Sequence, residues 1–575
     1  MVVLLPLGLL SGVAGQFFRA LSLTLSIAVL ISLVLAFTLI PLLCSIALRD
    51  EAAPAALPAS DRGSFYGRTL AATLARPRAA LVAGAVLLAA GALLIAGVPS
   101  GFLPGMDEGG FVIDYITPPG TALEATDRVV RRIESLVAAT PEVASFSRRT
   151  GSELGMFATE QNKGDILVRL VPRSKRKRSA DEVIAALRPQ VAEAAPEADV
   201  EFTQLLQDMI GDLEGAPTPV EIKVFGDDPG QLEPIAERVE STLAGVRGVV
   251  DVVGPRRGNP DVTWTIDLVA AARVGLSVDE VATQAAHAWL GEVPTELRLL
   301  DRSVPVRVRY PDADRFDPAR LADTPIRTPA GAFVPLKSLA HAAASTGQTV
   351  ITRENLRQMA LVTARLEDRD LGSAVAEIRR ALAGVRLPVG FLLDVGGQDE
   401  SQRQAFHELV LVLVIAASLV LVILVVLFRA FVPALLILAA APLSFSGALL
   451  LLAATRTELN VSSAMGLILL VGLVVKNGIV LLDYAHRLHD NGLPLRDAVV
   501  EAARVRLRPI LMTTLCTLFG LLPLAFGLGA GSELQKPLAL AVIGGLGLST
   551  VATLYLVPSI YVWWRSRASS PHPKL

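Results

Sequence analysis

The sequence predicts a membrane protein in which a bundle of transmembrane α-helices carries a large α+β domain outside the membrane. Three observations predict this class. Hydrophobic residues make up 52% of the 575-residue chain, and they are concentrated in seven long apolar runs. One polar block, 99–407, separates two of these runs and alternates between strand-like and helix-like hydrophobic periods. Basic residues cluster in some short connections and are scarce in others, which is typical of a chain that crosses a bilayer repeatedly.

The seven apolar runs each approach or exceed the length of about 20 residues that a helix needs to cross the hydrocarbon core. A soluble protein could bury one such helix, but not seven. Residues 1–10 are apolar but too short to span, so they resemble the end of a helix whose beginning is absent. The N-terminus has no basic leader segment, so a cleavable signal peptide is not expected. The predicted spans are 20–48, 79–98, 409–428, 430–455, 461–482, 509–528 and 537–564.

The short connections between the spans predict the orientation of the chain. Segments 49–78 and 483–508 each contain five arginines, and the tail after 564 adds two arginines and a lysine. The connections on the opposite side hold only Arg456 and Lys536. Because cytoplasmic connections carry the excess of basic residues, we expect segments 49–78 and 483–508 and the tail after 564 to lie in the cytoplasm. Alternation of the helices then places block 99–407 outside, in the periplasm of a Gram-negative cell.

The polar block contains repeated strand–helix–strand units. In the first, "FVIDYITPPGT" (111–121) predicts a strand and a turn, "ALEATDRVVRRIESLVAA" an amphipathic helix, and "VASFSRRTG" a second strand. The same order starts again at 220 and 359, and more weakly at 164. Units of about 30 to 40 residues predict small α+β modules with a sheet on one side and helices on the other. A further mixture of strands and helix, 261–310, has its own predicted core.

Several chemistries find no support in the sequence. No GxxxxGK[ST] loop is present to hold the phosphates of ATP. Cys44 and Cys516 both lie in apolar runs, so no disulfide framework is expected. The net charge of −2 gives no indication of a nucleic-acid partner. The histidines are scattered along the chain, so no metal site is expected from them. The basic run "RSKRKR" (173–178) is predicted to be a solvated loop.

A lysine lies in the middle of the apolar run "LILLVGLVVKNGIVLLDYA" (467–485). Insertion of a lysine at the centre of a bilayer costs roughly 2.5 to 3.5 kcal/mol, and such residues usually face the bundle interior and pair with another group. We therefore expect Lys476 to have a partner. Asp483 lies on nearly the same face, but about 10 Å farther along the helix axis, which is too far for a direct pair.

The next helix carries two polar residues, Arg506 and Thr513, that are also seven positions apart and share a face. Together with Lys476 they could form one polar track through the bundle, as a proton relay requires. Alternatively, Lys476 holds helices together through a buried carboxylate. We favour the relay because a buried ion pair is seldom a net stabiliser.

The segments "GLVVKNGIVLLDYA", "RVRLRPILMTTL…GLLPLAFGLGAG" and "DEGGFVIDYITPPGT" resemble the resistance-nodulation-division (RND) efflux permeases. The order of two helices, a long block and five helices is similar to the C-terminal half of such a permease. The resemblance implies that Lys476, Arg506 and Thr513 form a proton relay, with Asp483 as a weaker member. It also implies that the loop "LGMFATEQNKG" (154–164) lines the substrate path through Leu154, Met156 and Phe157. The proton motive force would supply the energy, with no cofactor.

The resemblance further implies a homotrimer in the lipid of the cell inner membrane, with ferredoxin-like βαβ modules in a periplasmic porter domain. A periplasmic adaptor and an outer-membrane channel would complete the pump. The paired aspartates of the family's relay have no counterpart here, so an N-terminal half or a second chain would have to supply them. The implied domains are 1–48 (helix end, loop and helix), 49–78 (cytoplasmic linker), 79–98 (helix), 99–218 (first porter module), 219–247 and 338–405 (second porter module), 248–337 (docking subdomain), 406–564 (five helices) and 565–575 (tail).

The exported substrate would be a small molecule or a heavy-metal cation, because the RND family has both subtypes. Block 99–407 has four methionines, Met106, Met156, Met209 and Met359, and no cysteine, so it offers no pair of soft metal ligands at ligand spacing. This favours export of drugs and other small toxicants, although "RDLGSAVAEI" and "MDEGGFVIDY" resemble segments of metal pumps. A non-transporting truncated or scaffold subunit, and a binding domain anchored by its helices, are the alternatives of a different class.

Overall fold

The structure, a computed structural model, describes residues 8, 12–47, 65–95, 97–152, 158–205, 209, 218–255, 258, 260–346, 351–529 and 531–568. The chain divides into two compact units. The first contains the apolar helices and most of the polar block. The second comprises Thr117–Thr126 and Arg256–Thr352.

Three helices lead into the polar block: α1 (Gly12–Ala47), α2 (Phe65–Ala75) and α3 (Pro77–Ile95). Helices α1 and α3 are long and apolar enough to cross a membrane. The short helix α2 lies in the segment predicted as a linker. It buries Tyr66, Leu70 and Leu74, which recur every four residues and so share one face of the helix.

The polar block begins with a four-stranded antiparallel sheet in the order β2-β3-β1-β4. Helices α4 and α5 contribute Val130, Ile133 and Leu187 to the same core as Ile113 and Ile166 of the sheet. Helix α5 begins with a capping box, in which Ser179 and Glu182 each bond the backbone N–H of the other. The elements are β1 (Gly110–Ile116), α4 (Leu123–Ala139), β2 (Val143–Thr150), β3 (Lys163–Leu170), α5 (Ala180–Ala194) and β4 (Asp199–Gln204).

The next three elements, β5 (Val220–Phe225), α6 (Pro229–Ala244) and β6 (Val249–Val253), start a second sheet. The chain then enters the second unit, whose core contains Leu276, Val281 and Ile326. This unit has two-stranded antiparallel pairs and short helices. Its elements are β7 (Pro260–Ile266), α7 (Leu268–Arg273), α8 (Val278–Trp289), β8 (Glu292–Arg298), β9 (Ser303–Val308), α9 (Asp312–Arg315), α10 (Pro318–Ala322), β10 (Pro325–Arg327), β11 (Phe333–Pro335) and β12 (Ala340–Thr346).

The second sheet is completed by β13 (Thr352–Glu354), β14 (Arg357–Leu366), α11 (Leu371–Leu382) and β15 (Leu392–Gly396). Its strands follow the order β13-β14-β5-β15, and β6 also pairs with β14. Strands β6, β14, β5 and β15 therefore repeat the arrangement of β2, β3, β1 and β4 in the first sheet. The four strand–helix–strand units predicted from the sequence are all present.

The remaining chain forms long helices: α12 (Gln398–Phe428), α13 (Phe431–Leu438), α14 (Ala440–Ala454), α15 (Val461–Asp490), α16 (Leu495–Ala525) and α17 (Lys536–Ala568). With α1 and α3 they provide seven candidate membrane spans within the described residues, as predicted. The run 430–455 was predicted as one helix, but it is interrupted at Ala439. Pro442 accounts for the break, because it has no N–H to donate to the carbonyl four residues earlier.

An ion-pair network joins the two sheets of the first unit. Arg188 on α5 donates to Asp251 at 2.8 Å and to Glu367 at 2.5 Å, and both carboxylates belong to the second sheet's segments. Arg365 on β14 pairs with Glu201 on β4 at 3.2 Å. Burial tends to raise the pKa of Glu201, while the charge of Arg365 opposes that change. The two sheets are thus connected by charged side chains, of which those of Asp251 and Arg365 are buried.

Small residues allow helices α14 and α17 to approach closely. A Cβ atom on Gly447 would lie 2.5 Å from the carbonyl oxygen of Gly544, and a Cβ on Gly544 would lie 2.5 Å from that of Gly447. Close backbone approach at small residues is a common way of packing helices in membranes, where apolar burial does not favour one helix surface over lipid.

Replacement of Gly544 by valine is therefore expected to force α14 and α17 apart and to destabilise the bundle by about 1–3 kcal/mol. The thermal unfolding midpoint of the purified protein in detergent measures this effect. Gly547→Val is the matched control, since no atom lies within 4 Å of a Cβ at Gly547. Equal midpoints for the two variants would contradict the assigned helix contact.

Candidate functional site

Helix α15 carries the central lysine of the predicted relay. The helix begins at a capping box, in which the Asn460 side chain accepts from the Ser463 N–H at 3.0 Å and the Asn460 N–H donates to Ser463 Oγ at 2.8 Å. Lys476 lies about 24 Å from that cap at a rise of 1.5 Å per residue. It is therefore close to the middle of the candidate span Val461–Asp490.

The side chain of Lys476 faces away from the core of this chain. Its neighbours Val475, Asn477 and Gly478 are buried, whereas Lys476 is exposed on the stripe that also contains Leu473. Within the described residues, the ammonium group of Lys476 has no hydrogen bond or ion pair. The buried carboxylate of the alternative helix-clamp hypothesis is therefore not found in the part of the chain that the structure describes.

Helix α16 supplies the other two predicted relay residues. The Arg506 guanidinium lies 4.8 Å from the ring centroid of Tyr484 on α15. Its Nε atom is buried and has no hydrogen-bond partner among the described residues. Thr513 is exposed, and its hydroxyl donates to the Ile510 carbonyl at 3.2 Å. The relay assignment of these residues stays a prediction.

The structure brings these residues to two packed helices but not into direct contact. No hydrogen bond or ion pair joins Lys476, Arg506 and Thr513 to one another in the described ranges. Asp483, the weaker candidate, pairs with Arg487 one turn further along α15 at 3.0 Å, and both side chains are well exposed. The predicted substrate-path residues Leu154, Met156 and Phe157 lie outside the described residues.

A buried ion pair at the base of the first sheet was not predicted. Arg176 belongs to the run "RSKRKR", yet its side chain is only 1% exposed, and it donates to the Asp107 carboxylate. The prediction of a solvated loop was wrong for this residue. Asp107 also accepts from the N–H groups of Gly109 at 3.1 Å and Ala180 at 3.3 Å. The run contains five basic residues, and nothing in the sequence distinguishes the one whose side chain is buried.

Asp107 is also hydrogen-bonded to the connection between two of the apolar helices. The backbone N–H of Asp107 donates to Glu533 at 2.7 Å, and Glu533 lies in the connection between α16 and α17. Burial acts to raise the pKa of Asp107. The hydrogen bonds and charge of Arg176, together with the hydrogen bonds from nearby N–H groups, outweigh burial and lower that pKa. Asp107 is therefore a carboxylate held in its ionised form. No group of three or more potential metal-ligating side chains occurs in the described residues.

Among the described residues, seven helices long and apolar enough to cross a membrane and two sheets of the same topology are typical of a multi-pass membrane protein with a large polar domain. Residues 1–565 match the AcrB/AcrD/AcrF family. The chain therefore belongs to this family of RND permeases, as the sequence motifs predicted.

Individual relatives include both metal-resistance and multidrug-resistance proteins. The chain is 32% identical to the cobalt-zinc-cadmium resistance protein CzcA of Cupriavidus metallidurans, over 98% of this chain and 54% of the relative. It is 28% identical to the multidrug resistance protein MdtC of Yersinia pestis, over 98% and 55%. A solved heavy metal efflux pump gives a TM-score of 0.85 at 29% identity, covering 98% of this chain and 57% of that one. The chain thus spans about half the length of the relatives it matches.

Proposed function

We propose that the chain is part of a proton-driven efflux permease of the inner membrane, a secondary transporter and not an enzyme. The observation that carries the proposal is Lys476, a cation at the middle of an apolar span in a member of the RND permease family. A charge at that depth is costly, so a role in moving protons accounts for it better than anchoring does.

We further propose that carboxylates from another segment or a second chain face Lys476. This follows from its exposure on a stripe of α15 that the described helices leave uncovered. While those carboxylates are ionised, they attract the ammonium group, and protonation removes the attraction. Lys476 then repositions α15, and the Thr513 hydroxyl and the Arg506 guanidinium on α16 extend the polar track. Each charge that crosses the membrane supplies about 2.3 kcal/mol per 100 mV.

The two sheets are proposed as ferredoxin-like porter modules, because each has the order strand, helix, strand, strand, helix, strand. The insertion between β6 and β14 is proposed as the docking subdomain. By resemblance to the family, a homotrimer, a periplasmic adaptor and an outer-membrane channel would complete the assembly. Correspondence of the chain to the C-terminal half of a permease stays a prediction.

Each of two substrate classes has two observations in its favour. Heavy-metal cations are favoured by the names of relatives such as CzcA and by the similarity to a heavy metal efflux pump. Drugs and other small organic toxicants are favoured by the scarcity of soft ligands in block 99–407, and by the multidrug relative MdtC. The preference for small molecules from the sequence stays a prediction.

Expression of the complete assembly in a host that lacks its own RND pumps separates these classes. We expect increased tolerance to dyes and detergents if organic molecules are exported, and to zinc, cobalt, copper or silver if metals are exported. The Lys476→Ala variant is the control for any effect unrelated to transport. Tolerance to neither group, with normal membrane levels, would instead support a non-transporting scaffold.

A further inference from the structure

Three chain segments meet where the lysine-bearing helix α15 begins. The residues after α3 run beside the loop before α15, and Ser100 pairs with Leu459 in a parallel bridge. The Leu459 N–H donates to the Pro99 carbonyl at 2.7 Å, and the Gly101 N–H donates to the Leu459 carbonyl at 3.2 Å. The start of α15 is thereby attached to the start of the polar block.

The third segment is the first turn of α11 in the second sheet's module. The Gly372 N–H donates to the Ser100 carbonyl at 3.2 Å, and the Ser100 N–H donates to the Asp370 carboxylate at 3.4 Å. The fit is close, because a Cβ on Gly372 would lie 2.1 Å from Ser100 Oγ. Ser100 therefore connects α11 to the loop before α15, and the position of one affects the other.

Glu458 lies within this junction. Its carboxylate packs against Gly101, where a Cβ atom would lie 2.2 Å from Glu458 Oε2. It is half-buried and has no hydrogen bond or ion pair to the described residues. Asp370, its acidic neighbour, accepts from the Ser373 N–H at 2.8 Å and from the Ser373 hydroxyl at 2.6 Å, as the cap of α11.

Within the described ranges, no cationic side chain pairs with the Glu458 carboxylate. The adjoining segment 99–102 has no ionisable side chain. On its own loop Arg456 is exposed. Just before α11, the guanidinium of Arg369 donates to Glu377 on that helix at 2.6 Å. Asp370 is the charged group that acts on Glu458, and it repels the ionised form.

We propose that Glu458 is a proton-binding residue on the outer side of the membrane, and that its protonation tightens the attachment of α15 to the second sheet's module. The proposal rests on the proposed function, because it links external protons to the helix that carries Lys476. Burial, and next the charge of Asp370, raise the pKa of Glu458 above its ordinary value. A neutral Glu458 removes the repulsion, whereas an ionised one adds a second negative charge to the junction.

The effect on stability has a definite sign. Because the folded protein holds the Glu458 proton more tightly than the unfolded chain does, the contribution of this group to stability is complete below the ordinary glutamate pKa. It falls as the pH rises through the raised pKa of the folded state. We expect Glu458→Gln, which keeps the shape of a protonated glutamate, to remove this loss of stability on the alkaline side.

The test measures export by the complete assembly in vesicles while the pH on the outer side is varied between about 5 and about 8, a range that covers a raised carboxyl pKa. We expect Glu458→Gln to lose the pH dependence that the unmodified protein shows in this range. Asp370→Asn, which retains the helix cap, should move the transition to lower pH because the repelling charge is gone. Glu193→Gln, on an exposed face of α5, is the control. An unchanged profile in Glu458→Gln would overturn the proposal.

A second measurement does not depend on transport. Infrared difference spectra of the purified chain, recorded over the same pH range, should contain a carboxylic-acid band that is lost in Glu458→Gln and retained in Glu193→Gln. Absence of such a band would refute proton binding by Glu458 even if export continues. Conversely, if the unmodified assembly exports nothing but its spectrum contains the band, the proposed function is contradicted and proton binding by Glu458 is still supported.

Discussion

Replacement of Lys476 by alanine is expected to abolish export by the complete assembly without lowering the amount of protein in the membrane. The reason is that the Lys476 side chain is exposed and its ammonium group makes no hydrogen bond or ion pair with the described part of the bundle, so its removal costs the fold little. An ammonium group in mid-span is itself unfavourable, and alanine removes that cost. Toxicant tolerance and immunoblots of membrane fractions measure the two quantities separately.

Lys536→Ala provides the matched control, because Lys536 is an exposed lysine at the end of α17 rather than in the middle of a span. We expect this variant to export normally. Wild-type tolerance in Lys476→Ala would exclude the relay, and a parallel loss of export and membrane level would indicate a structural role for the lysine.

The hydroxyl of Thr513 gives an independent test of the same relay. Thr513→Ala should also abolish export, although the lost hydrogen bond, to the Ile510 carbonyl one turn earlier, contributes little to stability. Thr38→Ala on α1 makes the same chemical change, since the Thr38 hydroxyl donates to Val34 at 2.8 Å. Equal export by the two threonine variants would remove Thr513 from the relay.

The membrane spans could be predicted from the sequence because a span is defined by a sum over about 20 residues, which single substitutions barely change. Their ends could not. Helix α12 starts at Gln398, whereas the apolar run starts at 409, and α16 starts at Leu495 rather than 509. Polar residues such as Arg403 and Arg504 continue the helices beyond the apolar part, and hydropathy alone gives no sign of this.

The strand–helix–strand units could likewise be predicted, because their hydrophobic periods are local properties of the chain. The pairing of strands is not local. Strand β5 pairs with β14, with Ile222 opposite Val362, although the larger segment of the second unit, Arg256–Thr352, lies between them in sequence. Only the shared core of the folded module determines that register.

The residues of the candidate sites also divide into those that the sequence predicts and those that it does not. Lys476 could be found because a charge within an apolar run stands out, and the structure places it at mid-span. The Arg176–Asp107 pair could not be found, because its partners are 69 residues apart and each lies among other polar residues. The same holds for Glu458, whose surroundings come from three separate segments.

Replacement of Asp107 by alanine should produce the largest loss of stability. It leaves the guanidinium of Arg176, 1% exposed, without its carboxylate. We expect a cost of about 3 kcal/mol, the lower end for breaking a buried pair, because the Asp107 side chain retains 10% exposure. The unfolding midpoint in detergent measures the effect. Asp127→Ala is the control, since Asp127 pairs with Arg131 and Arg148 at the surface and should change the midpoint far less.

The same pair predicts how stability responds to acid. Burial would raise the pKa of Asp107, but the hydrogen bonds and charge of Arg176 and the N–H of Gly109 outweigh it and hold the pKa below its ordinary value. The folded state therefore releases this proton more readily than the unfolded chain does. Its contribution to stability is complete above the ordinary aspartate pKa of about 3.9 and is lost as the pH falls through the lowered value. Asp107→Ala should thus lose less stability than the unmodified protein between about pH 5 and pH 3. An equal loss in both proteins would show that the Arg176 pair does not control the charge of Asp107.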